Sequence, residues 1–208
     1  MEMISRLRFC ALAALLFTGF NAAHAQTAPT APLSSTSAWQ KLPTEAYRGK
    51  QDDIYFVNPS LGWYVNGSGK IYRTTDGGAT WEKQLDKPGT YFRCIVFLDE
   101  KHGFAGNIGS DYFPGVTDTT PLYETKDGGA TWNAVTTITG APVKGLCALQ
   151  VVRQPFINAG VLDYKTLVFA GGRVGSPSVL LRSADAGATW VATDMSEHCA
   201  MILDVYFR

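Results

Sequence analysis

The sequence is short of charge, of histidine and of long apolar runs, and each shortage removes a class of function. Charged residues make up 17% of the 208, split evenly into 18 basic and 18 acidic side chains. No basic stripe stands out of the kind that neutralises a phosphate backbone, so nucleic acid is not expected as a partner. Past residue 25 the histidines are His102, in a charged turn, and His198, beside Cys199. Their spacing supplies no Ser-His-Asp constellation. Four cysteines form no Cys-x-x-Cys pair, hence no metal-ligand spacing. Cys10 lies in the leader. An odd set, Cys94, Cys147 and Cys199, is left, of which a disulfide would use only two. Each falls near the start of an expected inner strand and reads as a small buried residue. Sustained helical periodicity is absent, and beyond the N-terminus no segment is apolar enough to cross a bilayer. The glycine-rich stretch 171–178 lacks the Gly-Lys-Ser/Thr of a phosphate-binding loop.

What the chain has instead is one phrase written three times: Thr74-Thr75-Asp76-Gly77-Gly78-Ala79-Thr80-Trp81, then 125–132, then 183–190. The shared core is Ser/Thr-x-Asp-x-Gly-x-Thr-Trp. Its members are Thr74, Asp76, Gly78, Thr80 and Trp81; Thr125, Asp127, Gly129, Thr131 and Trp132; Ser183, Asp185, Gly187, Thr189 and Trp190. A period of about 50 residues with strand-like flanks indicates a propeller-type array. Asp and Ser/Thr side chains hold turns closed by bonding nearby amides. The third copy has Ala186 where the others have Gly77 and Gly128, so the second glycine is the demanding one. Three equivalent aspartates argue for a structural turn, since an active site is built once.

These residues resemble the Asp-box of the bacterial neuraminidase repeat (BNR) superfamily. The flanks Phe56–Gly67 with Ile71–Thr74, and Phe97–Gly106, resemble its photosystem II stability/assembly factor-like branch. The resemblance covers roughly residues 50 to 208. It implies an all-β fold, a β-propeller of four-stranded antiparallel blades, with the box as a rim turn away from the ligand face.

In chain order, residues 1–25 read as a signal peptide: Arg6 and Arg8, an apolar run from Ala11 to Phe20, and Ala23-His24-Ala25 before Gln26. Residues 26–38, rich in Ala, Pro, Thr and Ser, read as a disordered leader. Repeats are expected at 52–85, 91–136 and 145–193, with the inner strand of a fourth beginning in 198–208. That amounts to three and a half blades, an incomplete array whose open edges invite self-association. The second repeat carries about ten extra residues, centred on Ser110–Thr120. Scaffolds place function on such loops, so Asp111, Tyr112, Phe113 and Asp118 are the candidate recognition residues. Two carboxylates there are too few for a calcium site.

No catalytic, metal or cofactor-binding residue is expected. The enzyme alternative is glycoside hydrolysis, because sialidases and some endoglucanases share the box. It needs two placed carboxyls or a Tyr/Glu pair, and sialidases add an arginine cluster. Arg93, Arg153 and Arg208 lie on or near inner strands, but the sialidase Arg-Ile-Pro signature is absent and no nucleophile is assignable. The expected function is therefore that of an exported platform for another exported or membrane protein.

Overall fold

The computed structural model describes residues 42, 44–172 and 178–207. The expected signal peptide, the leader, Trp39, most of the glycine-rich stretch and Arg208 lie outside them. All regular structure among the described residues is β.

The first sheet orders β1 (Gln51–Phe56), β2 (Gly62–Asn66), β3 (Lys70–Thr74) and β4 (Glu82–Asp86) as an antiparallel meander. The second repeats it with β5 (Phe92–Phe97), β6 (Gly103–Asn107), β7 (Leu122–Thr125) and β8 (Asn133–Ala134). The third contains β10 (Leu146–Asn158), β11 (Val161–Gly172), β12 (Val179–Ser183) and β13 (Trp190–Asp194). Its outer edge is covered by β9 (Ile138–Gly140), which pairs parallel to β13. These are propeller blades. The meander puts the β1–β2 turn and the box at one end of each blade, and the β2–β3 turn at the other. They are called the box end and the loop end below.

The core lies between blades. Both β2 and β6 are buried along their whole length: β6 lies between the first and third sheets, and β2 packs on the second sheet with one face and under Trp81 and Tyr72 of its own blade with the other. Trp63 and Phe97 stack at 3.5 Å and 10° between the first two blades. Phe104, Leu122, Leu146, Val168, Leu181 and Trp190 fill the space between the second and third. Each inner strand has a bulge near its start, so the extra residues Asp52, Arg93 and Cys147 fall at equivalent positions.

Three local features break the repeat. Trp81 and Trp132 precede their strands, and only Trp190 starts one. The strands β10 and β11 are 13 and 12 residues long, against 6 and 5 for the equivalent strands of the first two blades. Met201–Phe207, read as the start of a fourth repeat, forms no strand. It folds back on the third blade: Ile202 N–H donates to the Gly172 carbonyl, Phe207 N–H to Gln150 Oε1, and the Phe207 ring packs on Phe169 at 4.2 Å. Those local bonds replace the ladder that an inner strand would need.

Candidate functional site

The three boxes have one geometry. In the second, Asp127 Oδ1 accepts from Thr125 Oγ1 (2.9 Å) and Thr131 N–H (2.8 Å), and Oδ2 accepts from Thr131 Oγ1 (2.6 Å). Thr125 Oγ1 in turn accepts Gly129 N–H at 2.8 Å. The first box repeats this with Thr74, Asp76, Gly78 and Thr80; the third with Ser183, Asp185, Gly187 and Thr189. All three carboxylates are spent on their own turn. Donation by the Thr hydroxyls, Thr80 and Thr189 foremost, holds Asp76 and Asp185 down at about 2, and Thr131 does the same for Asp127 in direction.

The two glycine positions of the box differ. Gly77, Gly128 and Ala186 sit at φ 72°, 73° and 57°, a region alanine tolerates. Gly78, Gly129 and Gly187 sit at φ 92°, 95° and 93°, which disfavours a Cβ. A second reason is tertiary. In the first two blades the aromatic one residue into the second strand presses on the following box. A Cβ on Gly187 would lie 2.1 Å from Phe104 Cζ. One on Gly129 would meet Gln84 Oε1 at 2.0 Å and Trp63 Nε1 at 3.2 Å. Trp63 Nε1 also donates to the Gly128 carbonyl at 3.1 Å. The second and third boxes are thus sockets between blades.

The loop end is different. The insertion after β6 is strapped down at its far side. Thr117 and Asp118 N–H both donate to the Gly89 carbonyl, at 2.9 and 3.0 Å. Asp118 Oδ2 accepts from Thr90 Oγ1 and Tyr123 Oη, both at 2.5 Å, and Lys87 lies 3.4 Å away. Burial opposes ionisation of Asp118, but these donors outweigh it and lower its pKa. Asp118 is therefore an anchor of the loop, with its oxygens used inside the fold. Asp111, Tyr112 and Phe113 form the exposed crest. Asp111 is exposed with φ 66°, and Tyr112 and Phe113 are 38% and 37% exposed with their rings edge-on at 4.7 Å. Phe113 also stacks on Tyr91 at 4.8 Å. Below them lies a cavity of about 440 Å³, walled by Tyr47, Tyr91 and Phe113–Val116, with Gly67, Ser68 and Lys50 at its rim.

Beside this cavity the bulge row adds charge. Arg93 pairs with Asp52, whose side chain is fully buried. Burial raises the Asp52 pKa despite Arg93, and burial also raises Asp53, whose Oδ2 accepts Ile95 N–H at 2.8 Å. Tyr91, between them and the loop, is pushed up to about 12 by burial and by Asp52. Sequence reasoning missed this row, although an unlike pair at equivalent repeat positions, Asp52 and Arg93, was its available signal. The inner-strand arginines do not cluster: Arg153 donates to the Leu98 carbonyl at the box end, far along the strand from Arg93. His102 pairs with Glu124 at 2.8 Å, and His198 sits in a turn on Met195. Among the described residues, Cys94, Cys147 and Cys199 form no disulfide.

The BNR/Asp-box repeat model matches residues 72–83, the first box and its flanks. The photosystem II assembly lipoprotein Ycf48 of Parasynechococcus marenigrum (strain WH8102) is 34% identical over 155 residues, covering 55% of this chain and 45% of that protein. A xyloglucanase of Paenibacillus sp is 34% identical over 81 residues, 31% of this chain and 8% of the enzyme. The solved structure "YCF48 bound to D1 peptide" superposes with a TM-score of 0.47 and 22% identity, covering 74% of this chain and 41% of that one. The chain thus spans less than half the length of each of these relatives. It is an Asp-box β-propeller chain similar to the Ycf48 assembly lipoproteins.

Proposed function

We propose that this chain is an exported, non-catalytic propeller platform that binds a segment of another exported or membrane protein at its loop end. The observation that carries the reading is the aromatic crest Tyr112–Phe113, standing over a 440 Å³ cavity on a loop whose base is locked by Asp118. Amphipathic rings held at low entropy cost beside a cavity are what anchors a peptide. The Asp52–Arg93 pair at the cavity's flank offers a second, polar point of contact. Export rests on the pattern of residues 1–25, and the Ycf48 relative named above is a lipoprotein. Similarity to photosystem II assembly factors supports an assembly or stability role toward a client.

The test is a double substitution, Tyr112→Ala with Phe113→Ala, in the full chain. Asp118 stays in place, because removing it would cut the strap and unfold the loop. Pull-down from envelope extracts is expected to lose the client, while near-UV circular dichroism stays unchanged. Retention of the client by the folded variant would refute the reading.

A second reading, glycoside hydrolysis, is favoured by the similarity to a xyloglucanase and by two carboxyls with raised pKa values on one inner strand. Against it, Asp52 is bound to Arg93 and Asp53 to the Ile95 amide, so neither is placed to protonate a sugar oxygen. Saturable turnover on a xyloglucan, β-glucan or sialoside panel, abolished by one carboxyl substitution, would establish it.

A further inference from the structure

The β10–β11 hairpin leaves the third blade at its box end, opposite the candidate client face. Strand β12 pairs with β11 only from Val168 onward, yet β10 and β11 continue together to the turn at Ala159-Gly160, where φ is 48° and 82°. The outer part is a two-stranded arm with no third strand, a form that is marginal in water by itself.

Cross-strand partners share a face of the ribbon. On one face lie Ile157 with Leu162, then Pro155 with Tyr164, then Arg153 with Thr166. The other face is mixed: Val161 and Phe156 lie on it, 67% and 43% exposed, among Asn158, Asp163, Gln154 and Lys165. Ile157, Leu162 and Tyr164 are 69%, 56% and 53% exposed. From tip to base the first face therefore runs aliphatic, aromatic with a hydroxyl, then cationic. Its one charge is Arg153, and no carboxylate lies on it. That is the depth order a lipid interface selects: apolar groups inward, a phenol at headgroup level, a cation at the phosphates.

We propose that the arm tip docks on a phospholipid surface, with Ile157 and Leu162 entering the acyl boundary, Tyr164 at the headgroups, and Arg153, whose Nη2 donates to the Leu98 carbonyl, behind them at the arm's base. Depth is limited by the backbone. Pro155 faces Tyr164 at a position where the Tyr164 N–H points out of the ribbon, so the proline costs no ladder bond there, and the Asp163 carboxylate accepts that N–H at 2.7 Å. That carboxylate must stay in water or among headgroups, and unpaired edges do not enter hydrocarbon. Only the last turn of the hairpin enters, within the roughly 5–10 Å of an interfacial anchor. A second copy of the chain fits less well. The apolar face offers on the order of 300–400 Å², against roughly 800 Å² per partner in a stable interface.

The experiment uses the full chain carrying I157W, read as the difference in emission from the parent chain, which already holds five tryptophans, against vesicles of phosphatidylcholine with phosphatidylglycerol, some with brominated acyl chains. The expected result is a blue shift and quenching on vesicle addition. Separately, Ile157→Ser with Leu162→Ser is expected to weaken vesicle binding at least tenfold, while Phe156→Ser, on the mixed face, changes it less than about threefold. Emission of I157W that ignores vesicles overturns the proposal. So does vesicle affinity unchanged by the double serine variant. A blue shift that follows protein concentration without vesicles would assign the arm to a second copy instead.

Discussion

Substituting Gly187 by alanine tests the socket between blades. Two costs add. At φ 93° an L side chain pays about 1–2 kcal/mol of backbone strain. The new methyl would also lie 2.1 Å from Phe104 Cζ, a ring that is fully buried and edge-on to Trp190 at 5.3 Å. Overpacking of that kind costs roughly 1–3 kcal/mol, because Phe104 has nowhere to move in a close-packed interface. The sum is about 3 kcal/mol. The two costs separate in a double-mutant cycle with Phe104→Leu, which removes the ring carbons that the methyl would strike. In that background Gly187→Ala is expected to cost only the strain, so the cycle yields a coupling of about 1–2 kcal/mol. Urea unfolding followed by tryptophan emission measures all four corners. The neighbouring Ala186→Gly, at φ 57°, is the control and is expected to change stability by less than about 1 kcal/mol. Additive costs in the cycle would refute the socket, leaving the glycine as a purely local turn residue.

Asp127→Ala removes three accepted hydrogen bonds and is expected to destabilise the second blade by roughly 1–3 kcal/mol, with client binding falling only in proportion to unfolded protein. A folded variant that had lost binding outright would give the box a direct role. The folded-state pKa of the box aspartates lies below the unfolded value of 3.8, so their contribution is complete above about pH 5 and is lost as pH falls toward 2. Melting temperature should drop across that window, and Thr189→Val should flatten the drop, since Thr189 is the main donor to Asp185; an unchanged profile would contradict this. Asp118→Asn is expected to loosen the insertion, read as faster amide exchange at Thr117 and Thr120, while β1–β4 keep their protection. Intact-mass measurement of exported material should show Gln26 first; retention of Met1 in a membrane fraction would overturn the leader reading.

The fold class was legible in the sequence because the information is local and repeated. The Asp and Thr of each box bond within five residues of themselves, so the turn forms wherever the phrase occurs, and short strands of aromatic and β-branched residues fill the space between turns. The extra length of the second repeat and its Tyr112–Phe113 crest could likewise be read directly. What the tertiary structure decided is which side chain meets which across blades. Trp63 and Phe104 press on boxes some sixty to eighty residues away, and that long-range contact adds a steric reason for glycine to the conformational one. Asp118 could not be told from Asp111 by sequence: both are loop carboxylates, and only the proximity of Thr90, Tyr123 and the Gly89 carbonyl makes one an anchor. The length of the β10–β11 arm was hidden for the converse reason. Its tip alternates weakly and carries Pro155, both signs of a strand's end, yet a two-residue turn and register with β10 carry the pairing through to Asn158 and Val161.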